Sequence, residues 1–369
     1  KRLMDETALV RRTIVVTAGT CGRASGAMEI RDALQAEIER LGAGDKVGLL
    51  VTGCHGFCEM EPSIVIYPDG IFYKKLEPKD VPSIIAQTVL KGKAVPALEY
   101  EDPATGKKHP RQKDIPFYRD QLRLLTENNF RVNPERIEDY IARGGYEGLS
   151  HALFDMSREE VIEEVKLSGL RGRGGAGFST GTKWEFTAKA PGEIKYVVCN
   201  ADEGDPGAFM DRSILEGDPH SVMEGMILCG YATGAKEGYI YCRAEYPLAI
   251  ARLKTAIAQA HEYGLLGEDI LGSGFSFDLK VKEGAGAFVC GEETALMASI
   301  EGKRGEPKPR PPFPAVSGLW AKPSNVNNVK SYAMAPQIVL KGAPWFKAIG
   351  PEKSPGTAIF ALTGKINNT

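Results

Sequence analysis

Two patterns of apolar and polar positions alternate along the first quarter of the chain. Thr13–Val16 and Lys46–Thr52 are short runs of β-branched and apolar residues, which are typical of buried strands. Between them, apolar residues recur at helical spacing on one face. Ile64–Tyr67 and Ile71–Lys74 flank a Pro-Asp-Gly turn and predict a hairpin. A second helical pattern closes this unit, so the order is strand, helix, strand, hairpin, helix.

Three cysteines follow the first two predicted strands, where this thioredoxin-like order exposes loops. Cys21 lies after the first strand, and Cys54 and Cys58 lie after the second. Clustered thiolates on loops are ligands for an iron–sulfur cluster or for zinc. Because a [2Fe–2S] cluster normally takes four cysteines, Thr17 and Ser25 are the nearby oxygen candidates for a fourth ligand. A degenerate domain that holds no metal is the open alternative.

A glycine-rich stretch, Ser168–Phe186, stands out in the rest of the chain. It follows a helix predicted by the capping box at Ser157, so it lacks the preceding strand of a dinucleotide fingerprint. Its six glycines let the backbone approach a ligand closely, and its two arginines and Lys183 supply positive charge. We therefore predict a loop that binds a phosphate-bearing cofactor.

Acidic residues follow the next predicted strand, Ile194–Cys199. Asp202, Glu203 and Asp205 come directly after it, and ligands of open α/β sheets bind outside the carboxyl ends of strands. We interpret these carboxylates as acceptors for ribose or flavin hydrogens, and a solvated charged loop is the alternative.

A second acidic pair, Glu292 and Glu293, begins a predicted helix. The plain interpretation is that their negative charges complement the helix dipole. The basic, proline-rich stretch that follows is predicted to form a rigid loop ending at Phe313. An apolar run at residues 358–363 predicts one more strand.

Composition limits the class of protein. The 369 residues are enough for two domains, and the formal charge of −2 argues against a nucleic-acid or anionic-membrane partner. Charged residues, proline and glycine interrupt every apolar run well short of a membrane span. The seven cysteines are odd in number and unevenly spread, unlike a secreted disulfide framework, so we expect a cytoplasmic protein.

Five motifs in fixed order resemble a single family. They are Gly-Leu-Arg-Gly-Arg-Gly-Gly-Ala-Gly-Phe at 169–178, Asn-Ala-Asp-Glu-x-x-Pro-Gly at 200–207, Cys-Gly-Glu-Glu-Thr-Ala-Leu at 290–296, Pro-Pro-Phe-Pro-Ala at 311–315 and Val-Asn-Asn-Val at 326–329. From about Ile115 onward the chain resembles the NADH-binding FMN flavoprotein subunit of respiratory complex I. The leading domain is similar to the one fused onto diaphorase subunits of NAD-linked hydrogenases and formate dehydrogenases.

This resemblance implies a set of site residues. The FMN site would comprise Gly172, Arg173, Gly174, Gly175, Lys183, Asn200, Asp202, Glu203, Phe288, Gly291, Glu292, Val326, Asn327 and Asn328. Residues around NAD(H) would be Phe178, Phe186, Asp205, Glu293, Arg310 and Phe313. Many members of the family carry Glu where this chain has Asp205. The iron–sulfur ligands would be Cys21, Cys54 and Cys58, although the family usually shows one more cysteine near Thr17.

The implied fold class is α/β, with three segments. A thioredoxin-like [2Fe–2S]-type domain would span residues 1–91, a linker residues 92–116, and a Rossmann-like FMN- and NADH-binding domain residues 117–369. The family continues into a ubiquitin-like region and a [4Fe–4S] domain, so we expect a chain truncated before them.

The implied activity is that of an NADH dehydrogenase or diaphorase. Hydride would pass between NAD(H) and FMN, and single electrons would pass to iron–sulfur centres. No catalytic side chain is required, because the flavin carries the chemistry. Partners would be a small thioredoxin-like [2Fe–2S] subunit and a larger iron–sulfur or catalytic subunit. The rival hypothesis is a non-catalytic docking or electron-relay subunit whose flavin site is vestigial.

Overall fold

The computed structural model describes residues 12–365, which divide into two compact units. Residues 12–134, with residues 364–365, form the first unit, and Glu135–Thr363 form the second. The division follows Pro134, whereas the sequence places a linker at residues 92–116.

The strands are β1 (Arg12–Thr17), β2 (Val47–Thr52), β3 (Ile64–Tyr67), β4 (Ile71–Tyr73), β5 (Tyr100–Glu101), β6 (Lys108–His109), β7 (Tyr196–Ala201), β8 (Glu237–Arg243), β9 (Asp278–Gly284) and β10 (Ser324–Asn328). The α-helices are α1 (Thr20–Ala24), α2 (Ala27–Arg40), α3 (Val81–Ser83), α4 (Pro116–Arg119), α5 (Ile137–Ala142), α6 (Glu147–Asp155), α7 (Arg158–Leu167), α8 (Thr180–Lys189), α9 (Met210–Gly217), α10 (Pro219–Thr233), α11 (Pro247–Glu262), α12 (Glu293–Ile300), α13 (Val329–Lys341) and α14 (Ala343–Lys347). A π-helix over Ile84–Val89 continues α3. Short 3-10 turns cover Cys58–Met60, Pro78–Asp80, Gln112–Asp114, Glu127–Phe130, Ile270–Gly272, Phe288–Gly291 and Leu319–Ala321.

The first unit is built on a mixed four-stranded sheet with the order β2-β1-β3-β4. β1 and β2 run parallel, β3 pairs antiparallel with β1, and β4 pairs antiparallel with β3. The apolar face of α2, with Ile30, Leu34 and Ile38, packs into the core of this sheet. The observed order of elements is the one that the sequence pattern predicts.

Residues 92–134 pack onto the first unit because they carry large apolar side chains. Ile115, Tyr118 and Phe130 share a buried cluster with Phe57 and the strands of the sheet. The rings of Phe57 and Phe117 are stacked 4.3 Å apart at 6°. These residues are too irregularly spaced to give a helical or strand period, which is why the sequence predicts only a linker over 92–116.

The second unit contains a parallel four-stranded sheet with the order β10-β7-β8-β9. The chain moves in one direction from β7 through β8 to β9, and then returns so that β10 lies on the other side of β7. The strand order therefore reverses between β7 and β10. In open α/β sheets this reversal opens a crevice at the carboxyl ends of the two strands.

Helices cover both faces of the second sheet. Val198, Tyr241 and Val326 pack with apolar side chains of α12 on one face. On the other face, α10 and α13 pack against each other and contact β7. Tyr332 of α13 donates a hydrogen bond to the Val198 carbonyl at 3.1 Å. Helices thus bury both faces, and the sheet is left open at the carboxyl ends of its strands.

The predicted strand at residues 358–363 is wrong. These residues form no strand, because no strand of the described chain pairs with them, and the side chains of Phe360 and Leu362 are 79% and 68% exposed. Among the helices that the structure describes, none combines the length and the apolar character needed to cross a bilayer.

Candidate cofactor site at the edge of the second sheet

The reversal in strand order brings two polar segments together. Asn328 at the end of β10 is in register with Asn200 near the end of β7, and Asp202 follows β7. The Asn200 amide donates to the Gly291 carbonyl at 2.9 Å. Its Oδ1 accepts from the Asp202 amide N–H at 3.2 Å. Four predicted site residues from three segments of the chain therefore meet at one edge of the sheet.

Asp202 is a buried carboxylate with an unused acceptor. Its residue is 2% exposed, and Oδ2 has no hydrogen-bond partner among residues 12–365. A Cβ added at Gly204 or Gly291 would lie 3.0 or 3.5 Å from this oxygen, so both backbones border it closely. Burial raises the pKa of Asp202 to about 6. An unsatisfied buried acceptor costs free energy, and a ligand hydroxyl or N–H group would relieve that cost.

The glycine loop forms a closed turn over the crevice. The Gly172 N–H donates to the Phe178 carbonyl at 2.7 Å, which fastens the two ends of the loop together. A Cβ at Gly174 would lie 3.3 Å from the Cβ of Asn328, so the loop lies against the end of β10. Gly175 has φ +110°, and a Cβ added to it would meet no described atom within 4 Å. The loop is thus a backbone cradle beside open space.

Lys183 joins the predicted phosphate loop to the residues predicted to surround a nucleotide. From α8, its Nζ donates to the Val326 carbonyl at 2.8 Å and lies 3.6 Å from Glu293. The Arg310 guanidinium lies 2.6 Å from the other oxygen of Glu293. One carboxylate at the start of α12 therefore holds two cations near the end of β10.

This region is similar in sequence to a known protein family. Residues 165–337, which contain the glycine loop and the ends of β7 and β10, match the family described as Nuo51 FMN-binding domain. Because this match lies within the second unit, we call the second unit the Nuo51 unit. A cradle of glycines, an adjacent lysine and an unsatisfied carboxylate are consistent with a ligand that carries a phosphate and several hydroxyl groups.

Relatives of the Nuo51 unit include components of several redox complexes. Over 248 residues the chain is 61% identical to the NADP-reducing hydrogenase protein HndC of Solidesulfovibrio fructosivorans, and the match covers 67% of this chain and 50% of that protein. It is 53% identical over 230 residues to an NADH-quinone oxidoreductase component of Rhizobium meliloti (strain 1021), and this match covers 62% and 55% of the two chains. The chain spans about half the length of the curated relatives it matches.

A solved structure is similar over nearly the whole chain. It is the crystal structure of NAD+-reducing [NiFe]-hydrogenase in the H2-reduced state, with a TM-score of 0.57 and 29% identity. The similarity covers 97% of this chain and 57% of the hydrogenase chain.

In the Nuo51 unit, three side chains that are predicted to contact FMN form hydrogen bonds with backbone groups. The Arg173 guanidinium donates to the carbonyls of Pro355 and Thr357 at 2.7 and 3.2 Å. Glu203 accepts from two N–H groups at the start of α9, at 2.9 and 3.0 Å. Glu292 is the N-cap of α12 and accepts from two N–H groups at 2.9 and 3.0 Å. These side chains fix the walls of the crevice.

The predicted aromatic residues of the Nuo51 unit are exposed. Phe178, Phe186, Phe288 and Phe313 are 48%, 52%, 67% and 58% exposed. The structure brings Phe178 and Phe186 together, with ring centroids 6.3 Å apart. Phe313 makes no ring contact with any aromatic side chain between residues 12 and 365, and Asp205 forms no ion pair there. Asn327 is turned inward, since its amide lies 2.9 Å from the indole nitrogen of Trp184.

The sequence analysis missed a buried ion pair beneath the Nuo51 crevice. Lys330 Nζ lies 2.7 Å from Asp211 Oδ1, and Asn328 donates to Asp211 Oδ2 at 2.6 Å. The neighbouring Ser331 hydroxyl accepts from the Arg173 backbone N–H at 2.9 Å. A lysine among the apolar residues of helix α13 was the available signal, because a buried charge needs a partner.

In the first unit, the structure places two of the three predicted metal-binding cysteines, Cys21 and Cys58, in contact. The thiols of Cys21 and Cys58 form a hydrogen bond, and this contact, burial and the nearby Cys54 raise the pKa of Cys58. None of the seven cysteines, all of which are described, forms a disulfide. Between residues 12 and 365, no three His, Cys, Asp or Glu side chains are arranged around one point as ligands of a single metal ion.

Proposed function

We propose that this chain is the NAD(H)- and FMN-binding subunit of a diaphorase-type oxidoreductase. Hydride would pass between NAD(H) and FMN, and single electrons would leave for iron–sulfur centres of a larger complex such as a hydrogenase or formate dehydrogenase. The observation that carries this proposal is that an unsatisfied carboxylate, Asp202, follows β7 and a glycine cradle lies against the end of β10, at the point where the strand order reverses. The sequence match to FMN-binding domains supports the choice of ligand.

The backbone of residues 172–175 would hold the FMN phosphate, with Lys183 as the nearby cation. Asn200 and Asp202 would bind hydroxyl or ring N–H groups of the flavin, and the segments at Phe288–Gly291 and Val326–Asn328 would line the crevice. Arg173, Glu203 and Glu292 would act by holding these walls, because each is already bonded to backbone groups.

The nucleotide would bind on the exposed side of the same crevice. Phe178 and Phe186 form a ready pair of aromatic rings on which an adenine can stack. Arg310 and Glu293 would contact polar groups of NAD(H), and Phe313 and Asp205 would reach it from flanking loops. The guanidinium of Arg310 would complement the pyrophosphate of NAD(H).

FMN supplies the hydride and single-electron chemistry when bound. The protein would orient the two ligands and exclude water between them. No general base is needed, since no proton has to be abstracted for hydride transfer. The carboxylate of Asp202 would disfavour negative charge on a group bound beside it.

The first unit would be a thioredoxin-like domain that holds an iron–sulfur centre at Cys21, Cys54 and Cys58, and the second a Rossmann-like FMN- and NADH-binding domain. The mixed sheet with the order β2-β1-β3-β4 and the parallel sheet with its reversal support these assignments. The names of the relatives support partners in a multi-subunit complex, which would be a small [2Fe–2S] subunit and a larger iron–sulfur subunit. A cytoplasmic location is part of the same proposal.

Titration of the full chain with FMN and with riboflavin tests the proposed site. Only FMN offers a phosphate to the cradle, so FMN should bind at least about tenfold more tightly than riboflavin. A ratio of this size corresponds to one charge-assisted hydrogen bond. Equal affinity for the two flavins would contradict the assignment of the loop. No affinity for either would support the docking-subunit alternative.

A further inference from the structure

Glu203, which follows the unsatisfied carboxylate of Asp202, has an unusual backbone conformation. Its φ is +40°, and no other predicted site residue except glycine has a positive φ between residues 12 and 365. A residue with a side chain rarely adopts such a φ, which persists only where surrounding contacts hold it. We propose that Arg243 is the positioning residue that holds Glu203 in this conformation and thereby fixes Asp202 at the cofactor crevice. This inference rests on the proposed flavin site and names a residue that would act on it through Asp202.

Arg243 is the last residue of β8, and its guanidinium reaches the segment that follows β7. Its Nη1 donates a hydrogen bond to the Glu203 carbonyl at 2.7 Å. On the other side, the Asp202 N–H donates to Asn200 Oδ1 at 3.2 Å. Hydrogen bonds therefore hold the backbone both before and after the Asp202 side chain.

The guanidinium of Arg243 is itself held by its neighbours. Its Nη2 donates to Glu245 Oε1 at 2.8 Å, and its central carbon lies 5.3 Å from the ring centroid of Tyr246. The Tyr246 hydroxyl in turn lies 3.1 Å from Glu203 Oε2. Arg243 and Tyr246 thus contact Glu203 at its carbonyl and at its carboxylate.

Glu245 is fixed by the chain around the end of β9. A Cβ added to Gly286 would lie only 2.5 Å from Glu245 Oε1, so the backbone of residue 286 approaches this oxygen closely. The Ala244 N–H donates to the Gly284 carbonyl at 2.9 Å. The ends of β8 and β9 therefore support the Asp202 segment from the side of β7 opposite to β10.

Arg243 also affects the charge of Asp202. Burial raises the pKa of Asp202 to about 6, the charge of Arg243 lowers it, and the charge of Glu245 raises it. Two further titratable groups of β8, the Tyr241 phenol and the Cys242 thiol, are within electrostatic range of Asp202. Loss of the Arg243 charge should favour protonated Asp202 near neutral pH, and a neutral carboxyl is a weaker hydrogen-bond acceptor than a carboxylate.

Carboxyl carbon NMR of the flavin-free full chain measures the pKa of Asp202, because its signal is the one missing from Asp202→Asn. We expect this pKa to rise by about 0.5 or more in Arg243→Gln and to fall in Glu245→Gln. Arg243→Lys keeps the charge and should leave the pKa near its original value. Arg12→Gln is the matched control, since Arg12 also contacts a backbone carbonyl and a carboxylate, but in the first unit. A general loosening of the fold would not move the pKa in opposite directions in the two glutamine variants at Arg243 and Glu245.

FMN titration near neutral pH measures the effect on binding. Arg243→Gln should weaken FMN binding roughly fivefold, Arg243→Lys should recover most of that loss, and Arg12→Gln should bind FMN normally. Because Arg243 acts through Asp202, Arg243→Gln should cause little further loss in a chain that already carries Asp202→Asn. A further loss of the same size in that double variant would show an independent structural effect and overturn the proposal.

An Asp202 pKa that is the same in Arg243→Gln and in the unsubstituted chain would also overturn it. Should Arg243→Gln fail to fold, an unchanged pKa in Glu245→Gln would have the same meaning. The NMR titration needs no flavin, so it decides whether Arg243 acts on Asp202 even if the unsubstituted chain binds no FMN. That outcome would contradict the proposed flavin site, whereas normal FMN binding with an unchanged Asp202 pKa would contradict the role of Arg243 alone.

Discussion

At the scale of single residues, Asp202 shows how a binding site costs stability. Its carboxylate is buried with an unpaired oxygen, and burial raises its pKa to about 6 from an ordinary value near 3.8. A raised pKa means that the folded protein prefers the protonated acid. The contribution of this group to stability is therefore complete below about pH 4 and is lost as the pH rises through about 6.

Asp202→Asn should separate the effect of this carboxylate on stability from its effect on FMN binding. Without FMN, the variant should be more stable than the unsubstituted chain at pH 8 by about 1 kcal/mol, a figure reduced for partial screening by solvent, and equal to it near pH 4. Its affinity for FMN should fall about tenfold, because a charged acceptor is lost. Denaturant unfolding at both pH values and flavin titration measure these changes. A variant that is less stable at pH 8 and binds FMN normally would contradict this role.

The pair of Asp211 and Lys330 makes a second prediction at this scale. Lys330→Met leaves a buried carboxylate unpaired and should destabilise the second unit by about 3–5 kcal/mol. Adding Asp211→Asn should restore most of that loss, whereas FMN affinity should fall in this double variant because Asn328 loses its charged acceptor.

Lys280→Met is the control for this pair, since Lys280 pairs with Glu237 at the surface and should contribute less than about 1 kcal/mol. Unfolding midpoints and flavin titrations of the four proteins are the measurement. Equal destabilisation by Lys330→Met and Lys280→Met would show that the buried pair has no special role.

At the scale of elements, the site depends on the close approach of a loop to two strand ends. The glycine loop lies against β10, and β10 lies beside β7 although more than 120 residues separate them in the chain. Glycine makes this approach possible at Gly175, whose φ of +110° lies in the region that other residues rarely adopt.

Gly192 offers a matched control for the loop. It has φ +113°, and, as at Gly175, an added Cβ would meet no described atom within 4 Å. Alanine at either position should cost a similar amount of stability, roughly 1 kcal/mol, through backbone strain. Only Gly175→Ala should weaken FMN binding, because only its Cβ would enter the cradle. If both variants bound FMN alike, the open space at Gly175 would not be the phosphate site.

Local patterns were enough to predict most elements, and they failed where contacts are distant. The cap at Ser157 and the strands around the cysteines follow from neighbouring residues, and the structure has them. The sequence could not show that β10 pairs with β7, because adjacency of parallel strands leaves no local pattern. For the same reason it could not show that the Glu203 carboxylate accepts from two N–H groups at the start of α9.

At the scale of the whole chain, two units carry two different kinds of candidate redox site. The first brings the thiols of Cys21 and Cys58 into contact, and the second places polar residues at the edge of a parallel sheet. The sequence motifs identify the second unit because they are dense and fixed in order. The extent of the first unit was not predictable, since Ile115, Tyr118 and Phe130 join its core without any regular spacing.

Anaerobic titration of the FMN-loaded chain with NADH tests the central proposal most directly. The proposal predicts that NADH bleaches the flavin absorbance completely, at one equivalent per bound FMN, and that added NAD+ does not. A chain that binds FMN stoichiometrically but shows no bleaching with excess NADH would contradict hydride transfer at this site.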